Sequence, residues 1–265
     1  SYIIKKVNPV TDNKFSIEGK VALISGASSG LGEHMAEMFA DNGVAVICAA
    51  RRTDRLQQVV DRITAKGGRA IVVTMDVTDR DSVKAGFDAA EAQLGTPDIV
   101  VCNAGATGAQ PFLEMKEAVW DNVLNVNLKG VFNLGQEAAQ RMVAAGKPGS
   151  IINISSICAV ASFKGLTHYS SSKAALNQLT AVMGHELAEH SIRVNALAPG
   201  YMMTDMVSDY YATEAGQRDL ATLPLKRAGE LKELDGALLL LASDASSYMS
   251  GSVITVDAAH SIRLG

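Results

Sequence analysis

The chain has 265 residues, 48% apolar and 20% charged, with 24 basic against 28 acidic side chains and a formal net charge of -4. This is the balance of an ordinary globular protein with enough apolar sequence for a sizeable core, and it excludes disorder, a collagen repeat and a disulfide scaffold. The slight acidity gives no electrostatic reason to expect nucleic acid or an anionic membrane as partner, so a small or neutral molecule is expected.

Residues 1–14 show no clear period and read as an N-terminal arm, leaving 15–265 as a single domain. Lys5 and Lys6 have no apolar stretch behind them, and no apolar run reaches the roughly 20 residues that span a bilayer. A soluble, cytoplasmic protein is the expectation. Cys48, Cys102 and Cys158 each sit in an apolar run without the paired spacing of a metal site, and read as reduced core residues. No metal is expected.

From residue 20 onward, short apolar runs alternate with longer amphipathic stretches. The runs 20–25, 44–49, 70–75, 99–102, 150–155, 193–197 and 252–256 read as strands buried on both faces. Stretches 33–40, 52–66, 79–94, 116–145 and 169–190 read as crossover helices. The alternation predicts an α/β fold: one doubly wound, mostly parallel sheet of about seven strands with helices on both faces. Ligands of such sheets bind beyond the carboxyl ends of the strands, so the informative residues lie where each run stops.

The first run ends in Ser25-Gly26-Ala27-Ser28-Ser29-Gly30-Leu31-Gly32, a G-x-x-x-G-x-G spacing before a helix. Glycines there let main chain turn tightly and approach a pyrophosphate, whose charge meets free N–H groups and the positive end of the helix dipole. The second run ends at Ala50, about where an NAD-preferring fold places an acid on the ribose hydroxyl, and is followed by Arg51 and Arg52. Guanidinium groups suit a 2'-phosphate, so the expected cofactor is NADP(H).

Tyr169 and Lys173 are four residues apart and share one helical face. A tyrosine titrates near 10, too high for a base at neutral pH, and a nearby cation favours its phenolate. Ser156 closes the fifth run, where its hydroxyl can hold a substrate oxygen, and Ser155 is a rival for that role. Asn103-Ala104-Gly105 ends the fourth run, and Asn127 lies on a long helix where a buried amide needs partners.

Taken together, these motifs resemble the short-chain dehydrogenase/reductases over residues 15 to 258, through the glycine turn, Asp76-Val77, Asn103-Ala104-Gly105, Asn127, Ser156, Tyr169-x-x-x-Lys173, Asn195, Pro199-Gly200 and Gly251. The resemblance implies a Rossmann fold and hydride transfer between NADP(H) and a ketone or secondary alcohol. It implies Tyr169 as general acid/base and Ser156 as hydrogen-bond donor to the reacting oxygen. Lys173 would bind the nicotinamide ribose and lower the tyrosine pKa, and Asn127 would hold a relay water. The cofactor would meet Gly26, Ser28, Ser29, Gly30, Leu31, Gly32, Arg51, Arg52, Asp76, Val77, Asn103, Ala104, Gly105, Tyr169, Lys173, Pro199, Gly200, Met202 and Thr204. The family is usually oligomeric, commonly tetrameric, with contacts expected from 119–145, 170–187 and 238–256.

Three departures stand out: Cys102 for the first Asn of N-N-A-G, Ser25 for the frequent Thr, and Asp257-Ala258-Ala259 for D-G-G. Residues 202–227, with Met202, Met203, Met206, Tyr210 and Tyr211, fall where relatives carry a substrate lid. Together with Ile157, Val160, Phe163 and His168 they favour a mainly apolar ketone. Alternatives are a 3-oxoacyl thioester, a sugar or sugar acid whose carboxylate meets Lys164 and His168, or a cofactor-binding sensor or structural protein without turnover. The turn Glu189-His190-Ser191 lacks an arginine for an acidic carrier protein, although Lys147 is near in sequence.

Overall fold

A computed structural model describes residues 13–262. Its strands are β1 (Val21–Ser25), β2 (Ala45–Ala50), β3 (Arg69–Thr74), β4 (Ile99–Cys102), β5 (Gly149–Ile154), β6 (Ile192–Pro199) and β7 (Val253–Val256). They form one seven-stranded sheet in the order β3-β2-β1-β4-β5-β6-β7. Every neighbouring pair is parallel. The helices are α1 (Gly30–Asp41), α2 (Thr53–Ala65), α3 (Arg80–Leu94), α4 (Glu117–Leu124), α5 (Gly130–Ala144), α6 (Thr167–Glu186), α7 (Asp205–Ala212), α8 (Glu214–Thr222) and α9 (Asp235–Ala242).

Strand alternation divides the apolar side chains between two cores, because successive residues point to opposite faces. Ala22, Ile24, Val46 and Cys48 pack with α1, α2 and α9 on one face. Leu23, Ile47, Ala49 and Val100 pack with α3, α5 and α6 on the other. The helices bury matching stripes, as in α2 with Leu56, Val59, Val60 and Ile63 at i, i+3, i+4 and i+7. Helix α3 is started by Asp79, whose carboxylate accepts from the Asp81 and Ser82 N–H groups.

Two helices differ from the sequence reading. The stretch 116–145 is not one α-helix, since Asn125–Lys129 winds as a π-helix between α4 and α5. Such a turn inserts an extra residue without any side-chain signature and recurs at functional sites. The stretch 169–190 starts earlier, at Thr167, and leaves α-geometry after Glu186. A 3-10 turn follows and stops at Ser191, whose φ of 59° is left-handed. Residues 1–12 of the expected arm lie outside the described residues; the Lys14 carbonyl accepts from Ala245 N at 2.9 Å. Among the described residues no helix is long and apolar enough to cross a membrane. The three cysteines are free and buried, and burial pushes the Cys48 and Cys102 thiols up to about 12.

The chain order reverses between β1 and β4, and the two strands diverge in their connections there, opening a crevice at their carboxyl ends.

Candidate active site

The glycine turn fills one half of that crevice. Gly26 has φ 69° and Gly30 has φ 58°, the left-handed region that glycine adopts without a Cβ clash. A Cβ on Gly26 would stand 2.9 Å from Ala104 Cα, and one on Gly32 would strike the Gly26 carbonyl oxygen. Asn103 braces the turn: its Nδ2 donates to Ser25 O at 3.0 Å and Gly26 O at 3.3 Å. Ser25 Oγ accepts from the N–H groups of Asn103 and Ala104 at 3.0 and 3.1 Å and donates to Val101 O, so it does the work of the usual threonine hydroxyl. Ser29 precedes α1 without a side-chain cap. The first-turn N–H groups of α1 are therefore open to an anion.

At the end of β2 the two arginines divide. Arg52 Nη2 donates to Ser28 Oγ at 2.9 Å and Ser29 Oγ at 3.1 Å, laying a guanidinium across the turn. Arg51 is exposed and stands 3.9 Å from Asp76, whose carboxylate also accepts from Thr78 N and Oγ1. Val77 is tied in through its carbonyl, which accepts from Asn133 at 2.9 Å, and packs on Gly130. Thr204 comes to the glycine turn from after β6, its Cγ2 lying 3.8 Å from where a Gly30 Cβ would be. Pro199 ends β6, Gly200 packs directly on Asp257, and Met202 lies against Gly229. A tight turn that would not admit a Cβ, an uncapped helix start and two guanidinium groups with no acid at Ala50 fit a phosphorylated dinucleotide.

The chemical half lies where β5 ends and α6 begins. The Ser155 and Ser156 alternatives separate here. Ser155 Oγ donates to Asn177 Oδ1 at 2.6 Å, whereas Ser156 Oγ accepts from Cys158 N at 3.1 Å and is in hydrogen-bond reach of the Tyr169 phenol. Tyr169 stands beside Ser156. Burial pushes its phenol up to about 12, Cys158 adds to the rise, and the Ser156 hydroxyl pulls against them. Lys173 donates to Ile154 O at 2.7 Å, with Nζ 5.6 Å from the Tyr169 ring centre. Burial brings its ammonium down to about 8.

Burial thus sets the direction for both groups, raising the phenol and lowering the ammonium. Asn127, fully buried in the π-turn, accepts from Ala106 N at 2.7 Å and donates to Ala106 O at 2.9 Å and Ser172 Oγ at 3.1 Å. It fastens the end of β4 to α6, and Gly105 lies close against its amide.

His168, expected beside the substrate, is 0% exposed and cannot meet a carboxylate there. Its position on α6 puts it on the same buried stripe as Ser172 and Leu176. Lys147 is likewise engaged, with Asp98 at 2.8 Å. In 202–227, Tyr211, Leu220 and Leu223 form a small core with Ala228, while Tyr210 and Met203 are exposed. The Met206 side chain lies outside the described residues. Cys158, read from the sequence only as a core residue, lies against Ser156 through its main-chain N–H, and its one signal in the sequence was adjacency to that serine.

A parallel sheet with a phosphate-binding turn at its switch point, and a Ser, Tyr and Lys at the next strand end, defines a dinucleotide-dependent oxidoreductase scaffold. The family profile for short chain dehydrogenases matches residues 20–215. The 3-oxoacyl-[acyl-carrier-protein] reductase FabG of Thermotoga maritima is 39% identical over 91% of this chain and 97% of its own. The 2-dehydro-3-deoxy-D-gluconate 5-dehydrogenase of Escherichia coli is 38% identical over 92% and 96%. Among solved structures, a gluconate 5-dehydrogenase from Burkholderia cenocepacia in complex with NADP and tartrate has a TM-score of 0.89 at 32% identity, covering 95% of this chain and 98% of that one. A short-chain dehydrogenase/reductase from Mycobacterium marinum has a TM-score of 0.87 at 41% identity, covering 93% and 97%. The chain belongs to the short-chain dehydrogenase/reductase family, and it is an oxidoreductase acting on CH–OH or ketone groups.

Proposed function

We propose that this protein is an NADP(H)-dependent reductase of a mainly apolar ketone, working as one catalytic domain over 15–265 with 202–227 as its lid. The observation that carries the reading is the convergence of Tyr169, the Ser156 hydroxyl beside it and the buried Lys173, whose Nζ lies 5.6 Å from the Tyr169 ring centre and donates to Ile154 O. The glycine turn with Ser28, Ser29 and Leu31 would hold the pyrophosphate, and Arg51 and Arg52 would take the 2'-phosphate. Asp76 and Val77 would meet the adenine, and Asn103, Ala104 and Gly105 its ribose. Pro199, Gly200, Met202 and Thr204 would meet the nicotinamide, and Lys173 its ribose. When bound, NADPH supplies a hydride to the carbonyl carbon.

As negative charge grows on the carbonyl oxygen, Ser156 donates a hydrogen bond to it and Tyr169 gives it a proton. The phenolate left behind is stabilised by the Lys173 cation and re-protonated along a relay. Asn127 uses both side-chain N–H donors on Ala106 O and Ser172 Oγ, and it would take part in that relay as an acceptor.

The pH dependence follows from Lys173. Below about 8 its ammonium carries the charge that stabilises the developing phenolate, and as pH rises through about 8 that charge is lost. Tyr169 keeps its proton well beyond this point. The kcat/KM for ketone reduction therefore falls across that limb, and a profile flat to about pH 10 would contradict the assignment.

Replacing both Arg51 and Arg52 with Ala is expected to raise KM for NADPH by about 10- to 100-fold, the worth of one or two charge-assisted hydrogen bonds. NADH kinetics should change far less, and steady-state rates with both nucleotides test this. The acyl-thioester and keto-sugar-acid readings keep support from the names of the relatives. We place the protein in the cytoplasm as a homo-oligomer, a tetramer in keeping with its family, with a small-molecule substrate. The test of the whole reading is NADPH oxidation by wild type and Tyr169→Phe over aryl, cyclic and aliphatic ketones, a 3-oxoacyl thioester and a keto-sugar acid.

A further inference from the structure

A ladder of hydrogen bonds joins the end of β5 to α6. Three consecutive residues there each meet a different turn of the helix. Asn153 Nδ2 donates to Thr180 Oγ1 at 2.9 Å, Lys173 Nζ donates to Ile154 O at 2.7 Å, and Ser155 Oγ donates to Asn177 Oδ1 at 2.6 Å. Residues 169, 173, 177 and 180 recur at the spacing of one helical face, so the face that carries Tyr169 is the face that grips the strand. Helix and strand run in opposite directions, and the side-chain rungs climb toward the chemistry: 153 with 180, 155 with 177, and then Ser156 beside Tyr169.

These rungs are directional where apolar contact is not. Apolar burial holds a helix on a sheet without choosing one setting along it, whereas a satisfied polar network fixes a single arrangement. The buried side of α6 includes His168, Ser172, Lys173 and Thr180 beside Leu176 and Gly184. Asn127 Nδ2 donates to Ser172 Oγ at 3.1 Å, and Ser172 Oγ donates to the Tyr169 carbonyl at 2.7 Å. The start of α6 is thus tied both to the π-turn and to the strand end.

Asn177 is the rung closest to the reacting pair that does not itself belong to the reacting set. Its partner Ser155 directly precedes Ser156, is buried, and is fixed on the sheet side by its own N–H, which donates to Leu197 O at 2.7 Å. The Asn177 oxygen therefore sets where the strand end sits along α6, and with it how far the Ser156 hydroxyl stands from the Tyr169 phenol. Helix formation does not call for this residue, since Asn in a helix interior is a poorer former than Ala or Leu because its amide competes for main-chain groups. Asn177 lies half-buried in the middle of a 20-residue helix, with its side-chain oxygen engaged across to the strand.

We propose that Asn177 is a positioning residue of the carbonyl reaction, holding the Ser155 hydroxyl so that Ser156 and Tyr169 converge on the substrate oxygen. This rests on the reductase reading above and deepens it.

The experiment measures kcat and KM with NADPH for acetophenone, 2-octanone and 5-keto-D-gluconate, together with thermal melting. The proteins compared are wild type, Asn177→Leu, Asn177→Asp, Ser155→Ala and the variant carrying both Ser155→Ala and Asn177→Leu. Leucine is of similar size and a better helix former, so the helix is kept while the accepting oxygen goes. In Asn177→Leu, kcat should fall about tenfold on each compound that wild type reduces, short of the roughly 10²-fold cost of a misplacement of about 1 Å. The KM for NADPH should stay within about twofold and the melting temperature within about 3 °C, because the phosphate turn lies at another strand end and one surface-accessible bond is lost. Asn177→Asp keeps an accepting oxygen at the same place and should return kcat to within about threefold of wild type. The double variant should be no slower than the slower single one, since both substitutions remove the same bond. An unchanged kcat in Asn177→Leu would overturn the role of Asn177, as would a fall that aspartate does not restore or a double variant slowed by the product of the two single effects. Absence of NADPH-dependent turnover of every compound by wild type would instead remove the reductase reading, and this inference with it.

Discussion

Tyr169→Phe is expected to lower the rate of ketone reduction by about 10²- to 10⁴-fold, the usual contribution of a positioned general acid, while NADPH binds as before. The substitution removes one oxygen. The ring stays in place against α6, and the Lys173 bond to Ile154 O at 2.7 Å does not involve the phenol. The turn that grips the phosphates lies at another strand end. What is lost is the one proton donor that burial holds near 12 beside the Ser156 hydroxyl. Fluorescence titration with NADPH and single-turnover rates together check this. An unaltered rate would transfer the acid role to another group, and loss of binding would show a structural role for the hydroxyl. If wild type and variant bound NADPH equally and neither turned over any carbonyl compound, the cofactor-binding protein without turnover would be the better reading.

The second large effect belongs to Gly32→Ala. The new methyl would strike the Gly26 carbonyl oxygen and stand 2.6 Å from Asn103 Nδ2, the atom that braces the turn. Neither neighbour can withdraw. The Gly26 carbonyl is main chain in a left-handed residue, and Asn103 Nδ2 is bonded to both Ser25 O and Gly26 O. Overpacking of this kind costs about 1–3 kcal/mol, and here it pushes apart the two elements that must converge on one pyrophosphate. The expected result is an NADPH Kd raised by about 100-fold with a Tm lowered by only about 2–8 °C. Calorimetric titration and thermal melting separate the two. A Gly32→Ala protein that bound NADPH normally would mean the dinucleotide does not use this turn.

The sheet was legible in the chain because strands covered on both faces are continuous apolar runs, and each of the seven runs became a strand with ends shifted by a residue or two. The phosphate turn and the Ser156, Tyr169 and Lys173 set were legible for a related reason: their spacing is local, so a strand end or one helical turn suffices to bring them together. The choice between Ser155 and Ser156 was not legible from position alone. Strand alternation turns Ser155 toward Asn177 and leaves Ser156 to the crevice, which required the register of β5 against β6 and the packing of α6.

What only the tertiary structure decided has one common cause, that desolvation and long-range contact are properties of the packed chain. The sequence places a lysine one turn from a tyrosine, but only the packed chain buries both and so raises the phenol and lowers the ammonium. The π-turn at Asn127 leaves no trace in residue type, since it is a matter of how α4 and α5 are phased. The packed rings of Phe163, Tyr201 and His260 unite three segments remote in sequence, and no local spacing announces them. The sequence by itself determined the alternation of elements, the switch-point crevice and the local spacing of Ser156, Tyr169 and Lys173. Folding decided how deeply each of those groups is buried and which partners its polar atoms meet, because both depend on what the chain excludes from water.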